Sequence, residues 1–321
     1  MIKSYGQMIN ETLDEEMEKD KSIFLIGEDI GVYGGCFGIT KGLYEKYKGR
    51  VIDSPMSEAA ITGLGIGAAM NGLKPIIEIM FMDFMTLIYD QLFNHASIFS
   101  YLSNGEISVP LVIRVPAGAG RGYGTTHSKT LVSPLMHIPG IKIVAPSNPT
   151  DVKGLLKSSI KDKDPVIFIE HKLLYQEKQE IKEENIPLGK AKIVKEGGDI
   201  LVISYSKTLL DCLDVANNLD KEGVSVEVLD LRTIKPLDMD LIKKCVEKIG
   251  KVLIVEEGYS TCGVSSEIIA KINESWFYSL DAPIKRICTL DSPIPCSPDL
   301  EKEVIPSKEK IEKEIKKLIN E

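Results

Sequence analysis

A histidine in a glycine-rich loop is the first residue that could do chemistry. The loop reads GAGRGYGTTHSKT over residues 118–130, and the histidine is His127. It follows the apolar run PLVIRV at 110–115, which predicts a buried strand. Ligands of open α/β sheets collect at the carboxyl ends of such strands, and imidazole exchanges a proton near neutral pH. His127 is therefore a candidate acid–base residue, and a structural role fits the same pattern.

The glycines of this loop stand at alternate positions, 118, 120, 122 and 124. A dinucleotide-binding turn has the spacing GxGxxG, opens a helix, and is followed by an acidic residue about 20 positions later. The segment TTHSKT does not open a clean helix, and no such acid follows. The spacing therefore argues against a site for NAD.

Glu58 is the second candidate, in the segment SPMSEAA at 54–60. Length and composition predict a helix over 57–72, and Ser57 stands where its side chain would cap that helix. A carboxylate in the first helical turn complements the helix dipole or does chemistry. The local pattern leaves both interpretations open.

The same predicted helix carries small residues at Ala59, Gly63 and Gly67, spaced i, i+4, i+8. Each glycine costs a helix about 1 kcal/mol relative to alanine, so a close approach of other backbone is expected to compensate. That approach is either packing within the chain or an interface between subunits.

Composition sets the outer limits on function. The 321 residues predict about two domains, and 43% hydrophobic with 27% charged residues is ordinary for globular proteins. The net charge of −8 favours neither nucleic acid nor an anionic membrane as a partner. The run at 76–88, interrupted by Glu78 and Asp83, is too short to span a bilayer. An acidic N-terminal segment and six cysteines without a CxxC pair predict reduced thiols and a cytoplasmic location.

Strand-like and helix-like runs alternate along the chain, which predicts two α/β domains with mostly parallel sheets. A helix is expected from Thr86 to Tyr101. The charged stretch 172–198 predicts a linker that ends in an edge ribbon, so the domain boundary is expected near 180–195.

Long segments of the chain together resemble one family. The sequence resembles the β subunit of the first, decarboxylating component of 2-oxo acid dehydrogenase complexes, most of all the pyruvate and acetoin members. The resemblance runs over about residues 3–320, and its most specific segments are 27–43, 53–84, 109–129, 137–175 and LRTIKPLD at 231–238.

The resemblance implies a transketolase-like fold of two doubly wound, mostly parallel α/β domains. It places a pyrimidine-binding domain at 1–180, a linker at 181–198 and the transketolase C-terminal domain at 199–321.

The resemblance also implies roles for single residues. Glu58 matches the catalytic glutamate that hydrogen-bonds the aminopyrimidine of thiamine diphosphate, and Met80 and Phe84 match apolar residues that line this ring. Glu28 matches a further acidic residue of the cofactor site. With Glu58 and Asp90 it would form a proton path between two active sites.

His127 matches the catalytic histidine that meets the substrate and the lipoyl arm. Its neighbours Thr126 and Lys129 replace two amides of the family pattern, which puts substrate preference and loop ordering in question. Some members of the family hold a structural K⁺ through backbone carbonyls. The matching positions here are Leu111, Ser159, Asp162 and Asp164.

The family's diphosphate and Mg²⁺ motif, GDG followed by NN, lies on an α subunit. Here GGD at 197–199 has the wrong order, and Asn217 and Asn218 follow too closely. The resemblance thus implies an α₂β₂ heterotetramer with a shared active site and a lipoyl-bearing acyltransferase partner.

The expected function is oxidative cleavage of pyruvate or acetoin, with transfer of the two-carbon unit to lipoamide. Four alternatives stay open: a branched-chain 2-oxo acid dehydrogenase β subunit, the C-terminal part of a split transketolase or deoxyxylulose phosphate synthase, a non-catalytic scaffold, and a dinucleotide-binding oxidoreductase.

Overall fold

A computed structural model describes residues 1–320. The chain forms two compact units. The first contains Met1–Ala117 and Pro134–Leu188, and the second contains Gly118–Ser133 and the chain from Gly189 onward. The expected boundaries at 1–180 and 199–321 stay a prediction. The glycine-rich loop belongs to the second unit, although it follows a strand of the first.

The secondary structure follows the predicted alternation. The strands are β1 (Ile2–Ser4), β2 (Ile23–Gly27), β3 (Val51–Asp53), β4 (Lys74–Glu78), β5 (Val112–Ala117), β6 (Lys142–Val144), β7 (Val166–His171), β8 (Lys178–Glu180), β9 (Lys192–Lys195), β10 (Ile200–Ser204), β11 (Val226–Asp230), β12 (Thr233–Lys235), β13 (Val252–Tyr259) and β14 (Lys285–Thr289). The α-helices are α1 (Tyr5–Lys19), α2 (Leu43–Lys46), α3 (Glu58–Met70), α4 (Phe99–Leu102), α5 (Val132–Met136), α6 (Pro149–Lys161), α7 (Ser206–Leu219), α8 (Met239–Ile249), α9 (Val264–Trp276), α10 (Pro298–Val304) and α11 (Lys308–Ile319).

A parallel sheet forms the centre of the first unit. Its strands run in the order β6-β7-β5-β4-β2-β3, and every neighbouring pair in this run is parallel. Strands β2, β5 and β7 are buried along their whole length. Near-continuous burial of this kind is typical of parallel sheets covered on both faces, and it explains the apolar runs of the sequence.

The helix expected from Thr86 to Tyr101 forms as a series of short helical turns rather than as one α-helix. The chain instead forms a 3₁₀ helix at Met82–Ile88, a π-helix at Gln91–Ala96 and the short helix α4. The side chain of Thr86 donates to the carbonyl of Asp83 at 3.1 Å. That of Ser97 donates to the carbonyl of Phe93 at 2.9 Å. Such side-chain bonds compete with a regular helical ladder, and π-turns often stand at functional sites.

The second unit is built on a sheet in the order β14-β13-β10-β11-β9. Its pairs are parallel except for β9, which lies antiparallel to β11 at the edge, as the edge ribbon predicted. The charged helix α11 buries Ile311, Ile315 and Leu318 in the core of this unit. No helix within residues 1–320 has the length and apolar character needed to cross a membrane.

Candidate functional site

The first candidate site lies at the carboxyl ends of three parallel strands of the first unit. Glu28 follows β2, Glu58 begins the helix after β3, and Met80 comes two residues after β4. Strand β2 lies between β3 and β4. From β2 the chain continues to its neighbour β3, and from β4 it continues to β5 on the opposite side of the sheet. Ligands of open α/β sheets bind at such a switch point.

Glu28 and Glu58 are brought together by the turn that begins α3. The carboxylate of Glu28 accepts a hydrogen bond from the backbone N–H of Ser57 at 3.1 Å. Both glutamates are only 8% exposed. Burial raises the pKa of Glu28, and the nearby charges of Glu58 and Asp29 raise it further. Burial and the neighbouring carboxylates therefore disfavour the charged form of Glu28.

Ser57 is the N-cap residue of α3, as expected, but its side chain makes no hydrogen bond to the helix. The carboxylate of Glu28 accepts a hydrogen bond from the N–H of Ser57, the residue just before α3. The Glu58 carboxylate itself has no hydrogen-bonding partner within residues 1–320. A buried acceptor of this kind is costly unless a ligand donates to it. The aminopyrimidine of thiamine diphosphate fits that need, because its N1′ carries a proton in the imino tautomer and then donates to a carboxylate.

Apolar side chains lie on the segment that follows β4. The 3₁₀ helix Met82–Ile88 packs against α3 and carries Phe84, which is half-buried. The Phe84 ring meets that of Phe81 edge to face, with centroids 6.1 Å apart. Met80 is also half-buried. These side chains fit the role of lining a flat aromatic ring, because they offer area without competing for its hydrogen bonds.

The small-residue face of α3 has two different environments. A β-carbon at Gly65 would lie 2.6 Å from Cδ1 of Ile77, so this glycine serves packing within the chain. Gly63 and Gly67 are exposed, and no atom lies within 4 Å of the β-carbon each would carry. Leu64, beside them, is 53% exposed. Packing within the chain therefore does not explain Gly63 and Gly67.

A buried ionic cluster crosses the middle of the same sheet. Arg114 on β5 donates to Glu78 on β4 at 2.7 Å and to both oxygens of Glu170 on β7, at 2.7 and 3.0 Å. Tyr175 donates to Glu170 at 2.7 Å. Burial disfavours the charged guanidinium, but the two carboxylates outweigh it and raise the pKa of Arg114. Sequence reasoning missed this cluster, although charged residues inside apolar runs signalled it.

Asp90 does not join the pair of glutamates. It precedes the π-helix, and its carboxylate accepts a hydrogen bond from Asn94 at 2.6 Å and lies 3.8 Å from His95. Its side chain is 64% exposed. It makes no hydrogen bond or ion pair with Glu28 or Glu58 in the described chain.

The four residues matched to the K⁺ site lie on two adjoining segments. The carbonyl of Leu111 accepts from Val166 N–H at 2.8 Å, and that of Ser159 accepts from Asp162 N–H at 3.2 Å. Lys142 binds the carboxylates of Asp162 and Asp164 at 2.7 and 3.2 Å. Each carbonyl keeps a second lone pair, and the end of α6 favours a cation.

The second candidate site is the loop at Gly118–Ser133, in the second unit. His127 ends a 3₁₀ turn at Gly124–Thr126 and is partly exposed. The Thr126 hydroxyl lies 2.8 Å from Nδ1 of His127. This contact orients the imidazole ring. Thr126, which departs from the family pattern, thus contacts the imidazole directly.

The other two neighbours of His127 have separate roles. The ammonium of Lys129 donates to the carbonyl of Thr125 and so closes the turn. Ser128 is buried, and its hydroxyl has no hydrogen-bond partner in the described part of the chain. No group of three or more His, Cys, Asp or Glu side chains within residues 1–320 could hold a metal ion.

Comparison with known proteins agrees with both units. Residues 3–178 match the transketolase pyrimidine binding domain, and residues 189–311 match the transketolase C-terminal domain. A solved split-gene transketolase, described as an inactive β4 tetramer, superposes with a TM-score of 0.80 at 17% identity, over 98% of this chain and 97% of that chain. Fold and matched domains define a transketolase-like protein.

Similar proteins of known name show which group of transketolase-like proteins the chain belongs to. The chain is 43% identical to the β subunit of acetoin:2,6-dichlorophenolindophenol oxidoreductase of Cupriavidus necator, over 93% of this chain and 92% of that protein. It is 46% identical to the pyruvate dehydrogenase E1 β subunit of Porphyra purpurea, over 96% and 94%. It is 42% identical to the 2-oxoisovalerate dehydrogenase β subunit of Bacillus subtilis, over 99% and 98%. The chain belongs to this family of E1-type dehydrogenase β subunits.

Proposed function

We propose that the chain is the β subunit of a thiamine diphosphate-dependent dehydrogenase component that cleaves pyruvate or acetoin oxidatively and passes the two-carbon acyl unit to lipoamide. The observation that carries the proposal is Glu58, which is 8% exposed and whose carboxylate has no hydrogen-bonding partner within residues 1–320. Relatives named for acetoin and for pyruvate support these two substrates.

Glu58 and Glu28 are the two residues that bind or accept protons next to the cofactor. Thiamine diphosphate, when bound, supplies the electron sink that the cleavage needs. Glu58 accepts a hydrogen bond from the pyrimidine ring and so controls the protonation of that ring. Burial and the nearby Glu58 charge raise the pKa of Glu28, so this carboxyl holds a proton more readily than an ordinary glutamate does. Met80 and Phe84 keep water from the ring. The path from this pair to Asp90 stays a prediction.

His127 acts toward the substrate and the lipoyl group. An imidazole whose ring is oriented by the Thr126 hydroxyl suits proton donation to a developing oxyanion or to a sulfur that takes up a proton. His127 donates the proton, and Thr126 orients the ring of His127.

The proposed partner is an α subunit that holds the diphosphate with Mg²⁺ in an α₂β₂ heterotetramer. The exposed face of α3 at Gly63, Leu64 and Gly67 is the surface we assign to this assembly, since nothing within residues 1–320 covers it. A lipoyl-bearing acyltransferase is the further partner. A cytoplasmic location stays a prediction from the sequence, and one relative from Arabidopsis thaliana is named as mitochondrial.

We also propose that K⁺ binds the carbonyls of Leu111, Ser159, Asp162 and Asp164. A ligand that binds only the folded state raises Tm in proportion to the logarithm of its concentration. Thermal unfolding of the assembled protein in KCl and in choline chloride at equal ionic strength tests this. Equal Tm values in both salts would reject the ion.

Reconstitution tests the function. The chain is co-expressed with the α-type subunit of the same source, thiamine diphosphate and Mg²⁺ are added, and reduction of an artificial acceptor is followed with pyruvate, acetoin and branched 2-oxo acids. Turnover that requires both chains supports the shared site, and the preferred substrate decides between pyruvate and acetoin. A preference for branched 2-oxo acids would favour the alternative that the Bacillus subtilis relative represents.

Substitution of Glu58 separates catalysis from assembly. Glu58→Ala is expected to reduce turnover about 10²- to 10⁴-fold with the heterotetramer intact, because it removes a positioned proton acceptor. The control is Glu106→Ala, which alters an exposed glutamate of the same unit. Unchanged turnover of Glu58→Ala would reject the catalytic role and favour a scaffold.

A further inference from the structure

Two carboxylates of the second unit bind the backbone of the His127 loop, which we define as residues 118–133. Glu257, on β13, accepts from Ala119 N–H at 2.5 Å and from the Thr130 hydroxyl at 3.4 Å. Glu257 thus joins the start of the loop to its far end. The backbone closes the same neck, because Gly118 N–H donates to the carbonyl of Lys129 at 3.4 Å.

Glu301, on α10, binds the interior of the glycine run. Its Oε1 accepts from Gly120 N–H at 2.9 Å, and its Oε2 accepts from Gly122 N–H at 3.2 Å. Its side chain is 3% exposed, so water does little to stabilise its charge. A buried carboxylate needs donors, and the two N–H groups of the loop supply them.

The alternating glycines explain how the loop makes this site. Gly118, Gly120, Gly122 and Gly124 have φ angles of +97°, +93°, +67° and +71°. A chain that alternates between positive and negative φ turns successive N–H groups toward one side and forms a concave anion-binding nest. Only glycine adopts these angles readily at every second position. The spacing that fails as a dinucleotide motif therefore builds a nest whose anion is Glu301.

The next part of the loop also rests on this unit. A β-carbon at Gly122 would lie 3.0 Å from the carbonyl oxygen of Cys296, and one at Gly124 would collide with the Cys296 sulfur. Gly124 starts the 3₁₀ turn whose last residue is followed by His127, and its carbonyl accepts from the His127 N–H at 3.4 Å. Close contacts at Gly122 and Gly124 therefore connect Glu301 to the backbone of His127.

We propose that Glu301 and Glu257 are positioning residues that hold the His127 loop, Glu301 by filling its glycine nest and Glu257 by closing its neck. This proposal rests on the proposed function only for the purpose of the loop, which is to present the imidazole. The placement itself is independent of any activity.

Amide hydrogen exchange on the full chain tests the placement without an assay of turnover. Glu301→Gln keeps the shape and one acceptor but turns an NH₂ group toward a backbone donor. We expect exchange at Gly120 and Gly122 to become about 10- to 100-fold faster, the range for a lost hydrogen bond to a charged group. Glu257→Gln is expected to accelerate Ala119 instead. Glu303→Gln, on the same helix and exposed, is the matched control and is expected to change neither.

Two outcomes of the exchange experiment would overturn the proposal. One is unchanged exchange across the loop in Glu301→Gln. The other is faster exchange throughout the core strands of the second unit, because Glu301 would then support the whole unit. If Glu301→Gln does not fold, Glu257→Gln decides by the same criterion at Ala119.

A double-mutant cycle tests whether the placement serves His127. In the reconstituted enzyme, Glu301→Gln is expected to reduce turnover about 10-fold when His127 is present and to have little further effect on His127→Ala, since residues in one chain of contacts are not additive. Fully additive losses would show that Glu301 does not act through the histidine. An inactive reconstituted enzyme with the expected exchange pattern would reject the proposed function and leave the positioning of the loop intact.

Discussion

Glu28 accepts the backbone N–H of Ser57 at 3.1 Å, and this contact sets its carboxyl beside that of Glu58 at the start of α3. The cofactor-facing glutamate thus has a second acid as its neighbour, and that acid replaces the serine hydroxyl as the partner of the helix end. Two buried carboxyls so placed are destabilising when both are charged, which is tolerated where a ligand uses one of them.

Glu28→Gln is expected to stabilise the isolated chain at pH 7. Gln keeps a carbonyl that can accept the Ser57 N–H, and it removes the repulsion from Glu58. The pKa of Glu28 is raised in the folded state, so its charge costs stability above that pKa and costs none below the ordinary carboxyl range. We expect Tm to rise by about 1–3 °C at pH 7 and the difference to vanish toward pH 4.

The measurement is thermal unfolding of wild type and Glu28→Gln across this pH range. Glu45→Gln, in an exposed turn of α2, is the control and is expected to leave Tm unchanged. A lower Tm for Glu28→Gln at pH 7 would contradict the unfavourable pairing.

Glycines of α3 are expected to respond oppositely to alanine. Gly63→Ala and Gly67→Ala meet open space, so each is expected to stabilise the isolated chain by about 1 kcal/mol through helix propensity. Gly65→Ala is expected to destabilise it, because Ile77 lies in the way. Urea unfolding of the isolated chain measures all three.

The same variants test the proposed interface on α3. If the α subunit covers Gly63 and Gly67, their added methyl groups are expected to weaken heterotetramer formation although the chain alone is more stable. Gel filtration of the mixed subunits measures this. Undiminished assembly of the double variant would place the interface elsewhere.

Arg114→Met is expected to destabilise the first unit by about 3–5 kcal/mol, since it leaves Glu78 and Glu170 buried without their cation. Denaturant unfolding measures the loss. The control is Lys243→Ala, which breaks an exposed ion pair with Glu247 and is expected to cost under about 1 kcal/mol. A loss below 1 kcal/mol for Arg114→Met would mean that the cluster is not held as a charged network.

Thr126→Val is expected to lower turnover of the reconstituted enzyme about 3- to 10-fold, because the ring loses the contact at Nδ1 that orients it. Thr125→Val, one residue earlier and also exposed, is the control. The expected signature is a fall in kcat with little change in KM for the first substrate. Equal activity of Thr126→Val and wild type would assign the orientation of His127 to other contacts.

Local patterns predicted most of the fold correctly. The alternation of strands and helices follows from residue periodicity, and the observed bounds of α3, β5 and β7 lie within a few residues of those expected. The short, irregular helical turns after Thr86 were not predicted, because side-chain bonds to the backbone of that segment and aromatic packing decide its geometry. Such bonds leave no period in the sequence.

The sequence by itself determined which reactive groups are present: a glutamate at the start of a helix and an imidazole in a glycine-rich loop. It also determined that every second residue of that loop, at four glycines, can adopt a positive φ. Only the tertiary structure decided which groups meet them. Glu28 and Ser57 are 29 residues apart, Ala119 and Glu257 are 138 apart, and Gly120 and Glu301 are 181 apart. Contacts at these separations depend on how elements pack. A short window of residues therefore shows that the loop can bind an anion, and only the folded chain shows that the anion is its own Glu301.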